Sequence, residues 1–394
     1  MKVLIINSGS SSIKFQLIEM PKEKVNCSGL VERIGSKEAI LSYNKGENNI
    51  SETLAIHSHK EGLKKIADFL LDPNKGVIKD AKEIDAVGHR VVHGGDSFSN
   101  TTLITSEVKD KIREFSSLAP LHNPHNLQGI EIAEQIFPDA KQVAVFDTAF
   151  HQTMPTKARK YAIPNKFYLE NDIKVYGFHG TSHKFVSEKA VEYLQQENSK
   201  IISIHLGNGC SITAVQNGKS VDHSLGFGPS NGLIMGSRSG DIDHSIIFYL
   251  VNEMGYKLEE VNKLLIKESG MLGLTGYSDL RDIQSEAEKG DTDCKLALDM
   301  NAYRIKKYIG AYTAAMNGLS AIVFTAGIGE NSAMLRELVC AELSYLGLEL
   351  DPLKNNQRST GIREINASTS QVKILVIPTN EELEIAKQSY QLLN

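Results

Sequence analysis

The sequence predicts an α/β protein of two domains, the second opening as the first does. Three observations lead there. Apolar, β-branched runs of strand length alternate along the chain with segments of helical period. A strand–turn–strand pattern at residues 2–17 (KVLIINSGSSSIKFQL) returns at 200–215 (KIISIHLGNGCSITAV), the two starts being 198 residues apart. The length, 394 residues, suits two domains at roughly 100–200 residues each.

The elements follow in order. Val3–Ile6 is a short apolar strand, Gly9 lies in a turn of small residues, and Ile13, Phe15 and Leu17 then alternate with Lys14 and Gln16. Further strands are expected at Ile84–Val92, Gln142–Phe146, Ala321–Thr325 and Val372–Ile377. Helices are expected at Lys184–Gln196 behind Ser182 as N-cap, at Ala297–Met316, at Ala333–Leu343, and from Glu381 onward. Duplication accounts for the paired hairpins, and so does coincidence.

Composition excludes several function classes. A net charge of −5 argues against non-specific nucleic-acid binding. Cys27, Cys210, Cys294 and Cys340 form no C-x-x-C pair and no zinc spacing, as expected of reduced thiols in a cytoplasmic protein. The apolar run Ile246–Val251 falls far below the ~20 residues needed to span a bilayer. Val3–Ile6 is likewise shorter than a signal-peptide core of roughly 7–15.

Several segments carry chemistry. Asn7–Lys14 (NSGSSSIK) offers closely spaced backbone N–H groups, hydroxyls and one cation, the makings of an anion nest, and equally those of an ordinary Ser-rich turn. His205–Gly209 (HLGNG) is the matching turn, and Ala326–Asn331 (AGIGEN) joins a strand to a helix, where a nucleotide can lie. Arg90 ends a strand before Gly94-Gly95, and Arg238 lies in GSRSGDID before a helix that Asp241 or Asp243 is placed to cap. Either Arg suits a carboxylate or phosphate, and either suits a surface ion pair. His179 precedes a helix N-terminus, whose dipole favours a neutral imidazole donor, and His122 lies in PLHNPHN. Asp147 ends a strand and Glu381 starts a helix; carboxylates so placed before phosphates act through magnesium.

Together these segments resemble the acetokinase family, the acetate kinases. The resemblance runs from NSGSSSIK (7–14) through GHRVVHGG (88–95), LAPLHNP (118–124), FDTAFH (146–151), GFHGTSH (177–183), HLGNG (205–209), SRSGDID (237–243) and GIGEN (327–331) to PTNEEL (378–383). It implies two duplicated ribonuclease H-like domains of the sugar kinase, Hsp70 and actin superfamily, with an interdomain nucleotide cleft. The first domain would comprise 1–149 and 380–394, the nucleotide-binding domain 150–379. It implies reversible in-line transfer between ATP and acetate with Mg²⁺ (Mn²⁺ as substitute), in a cytoplasmic homodimer serving acetyl-CoA/acetate metabolism beside phosphate acetyltransferase.

The resemblance also implies roles. Asn7 and Glu381 are similar to a magnesium pair, and Ser10, Ser12 and Lys14 to phosphate contacts. Arg90 and Arg238 resemble the acceptor and transition-state arginines, and His122 and His179 phosphoryl-oxygen donors. Val92, Leu121, Phe178 and Pro229 resemble the walls of a methyl pocket. His205, Leu206, Gly207, Asn208 and Gly209, with Asp279, Leu280 and Arg281, and with Gly327, Ile328, Gly329, Glu330 and Asn331, resemble the ATP contacts. Acetate needs no base, so Asp147 is expected to position magnesium or its waters.

Two stretches depart from the family pattern. Gly226–Gly232 reads GFGPSNG where the family has GFTPLEG, and Gly276–Arg281 (GYSDLR) is one residue shorter than G-x-S-x-D-x-R. The rival readings are a propionate or butyrate kinase, a pyrophosphate-dependent relative, a sugar kinase, and a non-catalytic ATP-driven module.

Overall fold

A computed structural model describes all 394 residues. The chain forms two compact units, Met1–Gln152 together with Asn380–Asn394, and Thr153–Thr379. The first holds strands β1 Lys2–Ser8, β2 Ser12–Glu19, β3 Lys24–Glu32, β4 Ser36–Lys45, β5 Asn48–Ile56, β6 Ala86–Val91, β7 Thr102–Leu103 and β8 Lys141–Phe146, in the order β5-β4-β3-β2-β1-β6-β8-β7. The second holds β9 Lys200–Leu206, β10 Cys210–Gln216, β11 Lys219–His223, β12 Ala321–Thr325, β13 Arg363–Glu364 and β14 Lys373–Val376, in the order β11-β10-β9-β12-β14-β13.

The two sheets share one pattern. A three-strand antiparallel meander hands over, through its first strand, to two parallel strands. That is β3-β2-β1-β6-β8 in one sheet and β11-β10-β9-β12-β14 in the other. Repetition of the whole five-strand order, beyond the hairpins, favours duplication over coincidence.

β1 is central, and its run Val3–Ile6 is buried throughout. Period-two alternation sends Leu4 and Ile6 to a core shared with Leu63, Ile66 and Leu70 of the helix His59–Leu71 and with Ile132 of the helix Asn123–Ile136. Val3 and Ile5 face the opposite way, onto Ile385 and Ala386 of the helix Glu381–Leu393. A strand covered on both faces reads as a continuous apolar run.

Several boundaries differ from expectation. The helix expected behind Ser182 spans Gly180–Leu194, with His179 at the N-cap in the left-handed region (φ 55°). Ser182 lies inside its first turn and bonds His205 instead. The helix expected from Ala297 begins at Thr292, where Asp291 accepts from the Cys294 N–H (2.8 Å), and the one from Ala333 ends at Cys340. AGIGEN, expected as a turn, is itself the helix Ala326–Asn331. Residues 24–56, to which no strand was assigned, supply β3, β4 and β5.

Gly88 in β6 lets the last helix sit directly on the sheet. A Cβ there would lie 2.8 Å from Ile385 Cγ2 and 2.9 Å from Ser389 Oγ. Gly88→Ala is therefore expected to lower stability by about 1–3 kcal/mol, the usual cost of overpacking. Urea denaturation measures this, and an unchanged midpoint would contradict the close packing.

Candidate active site

In the first unit the NSGSSSIK turn is a closed hairpin. Asn7 pairs with Lys14, and the Gly9 N–H donates to the Ser12 carbonyl (2.8 Å). His59 Nε2 donates to the Gly9 carbonyl (2.7 Å), which fixes its proton on that nitrogen, and its ring stacks on His125. The Ser10 side is exposed and Ser12 half-buried. Two buried asparagines hold the neighbouring strand ends. Asn126 donates to the Ser8 carbonyl (2.8 Å) and accepts from the Val92 N–H (3.1 Å), and Asn123 accepts from the His93 N–H (3.0 Å). His122 is the N-cap residue of the same helix and is half-buried.

Arg90 and Asp147 leave the ends of the parallel pair β6 and β8 side by side. Arg90 Nε and Nη2 donate to Asp147 Oδ2 at 3.0 and 2.6 Å, and Nε reaches Oδ1 at 3.2 Å. Such a fork–fork pair fixes the guanidinium plane. Both Asp147 oxygens accept from Arg90, so Asp147 holds the guanidinium in place. Glu381 lies 3.8 Å from Arg90 Nε, and Glu382 pairs with Lys14 (2.7 Å). Burial opposes the Arg90 charge, but Asp147, Glu381 and Glu382 outweigh it and raise its pKa. Burial likewise raises the Glu381 pKa; Arg90 and Lys14 oppose this, while Asp147 and Glu382 reinforce it. Val92 is buried, whereas Leu121 is 50% exposed.

In the second unit four histidines gather at the ends of β9, β10 and β11. His179 Nδ1 and His183 Nε2 both bond Ser211 Oγ, at 2.9 and 2.7 Å. One hydroxyl proton serves only one of them, so at least one ring donates an N–H to that oxygen. His205 stacks on His179, with centroids 4.4 Å apart, and meets Ser182 through Nδ1 (2.8 Å). The Phe178 N–H donates to His223 Nε2 (3.1 Å), so the His223 proton sits on Nδ1 and faces Thr213 Oγ1 (2.7 Å). His183 and His223 were not singled out from the sequence, though GFHGTSH places His183 one helical turn after His179.

Arg238 is set differently from Arg90. Its Nη1 donates to the Pro229 carbonyl (2.8 Å), and no carboxylate lies within ion-pair distance. Burial lowers its pKa, which the neighbouring Cys210 partly offsets. It is a half-buried cation lacking a counter-ion. Asp243 accepts from the Ser245 N–H (2.8 Å) at the start of the helix Ser245–Asn252, while Asp241 accepts from the Gly232 N–H (2.7 Å) instead.

Three distant segments of this unit line one cavity of about 660 Å³: Gly207 and Asn208, then Asp279, Leu280 and Arg281, then Gly327, Ile328 and Asn331. Ser278, Gln284 and Ser332 complete it, and these were not foreseen. His205, Leu206, Gly209, Gly329 and Glu330 do not line it; Glu330 Oε1 accepts from the Thr379 N–H (3.1 Å). The cavity opens beyond the carboxyl ends of the parallel strands β9 and β12, where α/β sheets take ligands.

The family model described as "Acetokinase family" matches residues 2–387. The chain belongs to the acetokinase family. It is 63% identical to an acetate kinase of Flavobacterium johnsoniae, over 100% of both chains, and 53% identical to one of Thermotoga maritima, over 100% of this chain and 99% of that one. The crystal structure of Porphyromonas gingivalis acetate kinase superposes with a TM-score of 0.94 at 43% identity, covering 100% of both chains. A propionate kinase from Francisella tularensis gives 0.93 at 44% identity, over 98% of each. Among acetokinases the fork on Arg90 yields a test. Asp147→Asn should lower turnover by about 100-fold or more, the scale of one lost charge-stabilising group, with an unchanged pH optimum. A mutant with near-normal turnover, or one that merely shifts the pH optimum, would contradict this reading.

Proposed function

We propose that this chain catalyses reversible, direct in-line transfer of the γ-phosphoryl group of ATP to acetate, giving ADP and acetyl phosphate. The observation that carries the reading is 63% identity to an acetate kinase along the whole chain. The chemistry of each unit supports it. Acetate is already an anion at neutral pH, so it attacks without a base. The barrier is anion meeting anion, and positioning with charge neutralisation lowers it.

In this reading Asp147 orients Arg90, and Arg90 holds the acceptor carboxylate. Arg238, lacking a counter-ion, takes the charge that develops on the transferred group. His122 and His179 donate to phosphoryl oxygens, with Ser10, Ser12 and Lys14 on the phosphate side. Val92, Leu121, Phe178 and Pro229 each offer apolar surface to the methyl group. The adenosine moiety occupies the 660 Å³ cavity.

Magnesium, or manganese in its place, belongs to the same proposal, and the donor set fits it. Around Glu381 stand Asp147 and Glu382 against Arg90 and Lys14, three carboxylates to two cations. A site that keeps water and substrate phosphate as further ligands needs only one or two protein oxygens. Glu381 and the Asn7 amide would supply them, and the ion would screen the phosphate charge. The product places the protein beside phosphate acetyltransferase in acetyl-CoA/acetate metabolism, in the cytoplasm, a setting that the four buried free cysteines suit.

Trapping with hydroxylamine tests the reaction. With Mg-ATP, acetate should give the strongest acyl hydroxamate signal, and EDTA should abolish it. Propionate should be weaker by roughly 10–200-fold in kcat/KM, the worth of one methylene. Glycerol, glucose, and pyrophosphate in place of ATP should give none. No hydroxamate from any carboxylate would refute the proposal.

We also propose a homodimer that pairs through the helix Ser245–Asn252. It buries no residue, and Ile246, Phe248 and Tyr249 are all exposed, Phe248 by 62%. An apolar helix left uncovered calls for a partner surface. Sedimentation should give twice the chain mass for the wild type and a single chain for Phe248→Glu. A monomeric wild type would rule the dimer out.

A further inference from the structure

The helix Ala326–Asn331 has a second cavity beside it, of about 610 Å³, within the same unit. Glu330 and Asn331 line it, and so do Arg336, Arg358 and Arg363. Three guanidinium groups against one carboxylate leave it two positive charges in excess.

The arginines are short of anions. Arg336 is 2% exposed, and its acceptors are all neutral oxygens: Asn355 Oδ1 (2.8 Å), Asn355 O (2.9 Å), Gly329 O (2.8 Å) and Glu330 O (3.0 Å). Arg363 Nη2 donates to the Glu330 carbonyl (2.8 Å) and Nη1 to the Gln357 carbonyl, while its Nε–H is buried with no acceptor. Burial, and then the Arg363 charge, lower the Arg336 pKa to about 10. A buried guanidinium usually meets a carboxylate, because an uncompensated charge costs several kcal/mol. No ion pair forms at Arg336, Arg358 or Arg363.

We propose that this cavity is a binding site for a small oxyanion of charge two, phosphate or dicarboxylate, gripped by Arg358 and Arg363 above the buried charge of Arg336. Such an anion matches the excess charge. The site also reaches the neighbouring cavity. Arg336 and Arg363 hold the carbonyls of Gly329 and Glu330, in the helix whose Gly327, Ile328 and Asn331 line the other side. An anion that draws on the same guanidinium groups loosens that end of the helix and weakens adenosine binding. This coupling rests on the nucleotide reading of the 660 Å³ cavity; the anion site does not.

Calorimetric titration of the full chain with inorganic phosphate, without nucleotide, tests the site. Wild type should show a binding event that Arg238→Ala retains and that Arg358→Gln and Arg363→Gln each weaken at least tenfold. Arg358 is exposed, so its variant reports binding without disturbing the fold. Repeating the titration with malonate ranks carboxylate against phosphate. Binding of neither anion, or an event lost only with Arg238→Ala, overturns the site. Adenosine carries no phosphate and does not compete directly. Its Kd should rise at least threefold with saturating phosphate in wild type and stay constant in Arg358→Gln. An unchanged Kd in wild type overturns the coupling, while failure of adenosine to bind at all counts against the nucleotide reading and leaves the phosphate result standing.

Discussion

Two buried asparagine side chains set the level at which the central strands of the first unit end. Asn126 spans the Ser8 carbonyl and the Val92 N–H, and Asn123 takes the His93 N–H. Without them the ends of β1 and β6 would leave backbone groups unsatisfied in a dry interior. Several polar groups of that unit hang from these ends: the turn after Ser8, Arg90 within β6, and His122 at the head of the asparagine helix itself. The motif PLHNPHN is thus an anchoring device as much as a source of a donor.

The two arginines are held in different ways. Arg90 is locked in plane by a bidentate carboxylate, so its reorganisation is done in advance. Arg238 is tethered only through the Pro229 carbonyl, with no carboxylate within ion-pair distance. Pro229 lies in the loop Gly226–Gly232, which departs from the family's wording. Because the contact is made by a backbone carbonyl, the altered Gly228, Ser230 and Asn231 leave it in place.

Much of the fold was legible. The doubled hairpin, the strands around Arg90, Asp147 and the GIGEN segment, and the last helix all followed from apolar period and small-residue turns. The misses have physical causes. In residues 24–56, β3 and β4 alternate buried and half-buried positions with many polar side chains, and β5 is mostly exposed, so the period is diluted. AGIGEN follows β12 through Ala326 at φ 64°, and Arg336 caps the carbonyls of its Gly329 and Glu330, a side-chain contact that apolar period does not reveal. Individual site residues were named by motif, but their pairings were not: the Arg90–Asp147 fork and the shared Ser211 hydroxyl join residues 57 and 28–32 positions apart.

The first unit is discontinuous, for residues 380–394 return to it after the whole of the second unit has been made. During synthesis Val3 and Ile5 therefore wait without the cover that Ile385 and Ala386 supply. The inserted unit, Thr153–Thr379, is contiguous and can settle while its host is still open. The host closes last, and the closing helix brings Glu381 with it. A nascent or clipped chain that has not seated its final helix leaves the sheet face of Val3 and Ile5 uncovered and lacks the Glu381 carboxylate beside Arg90.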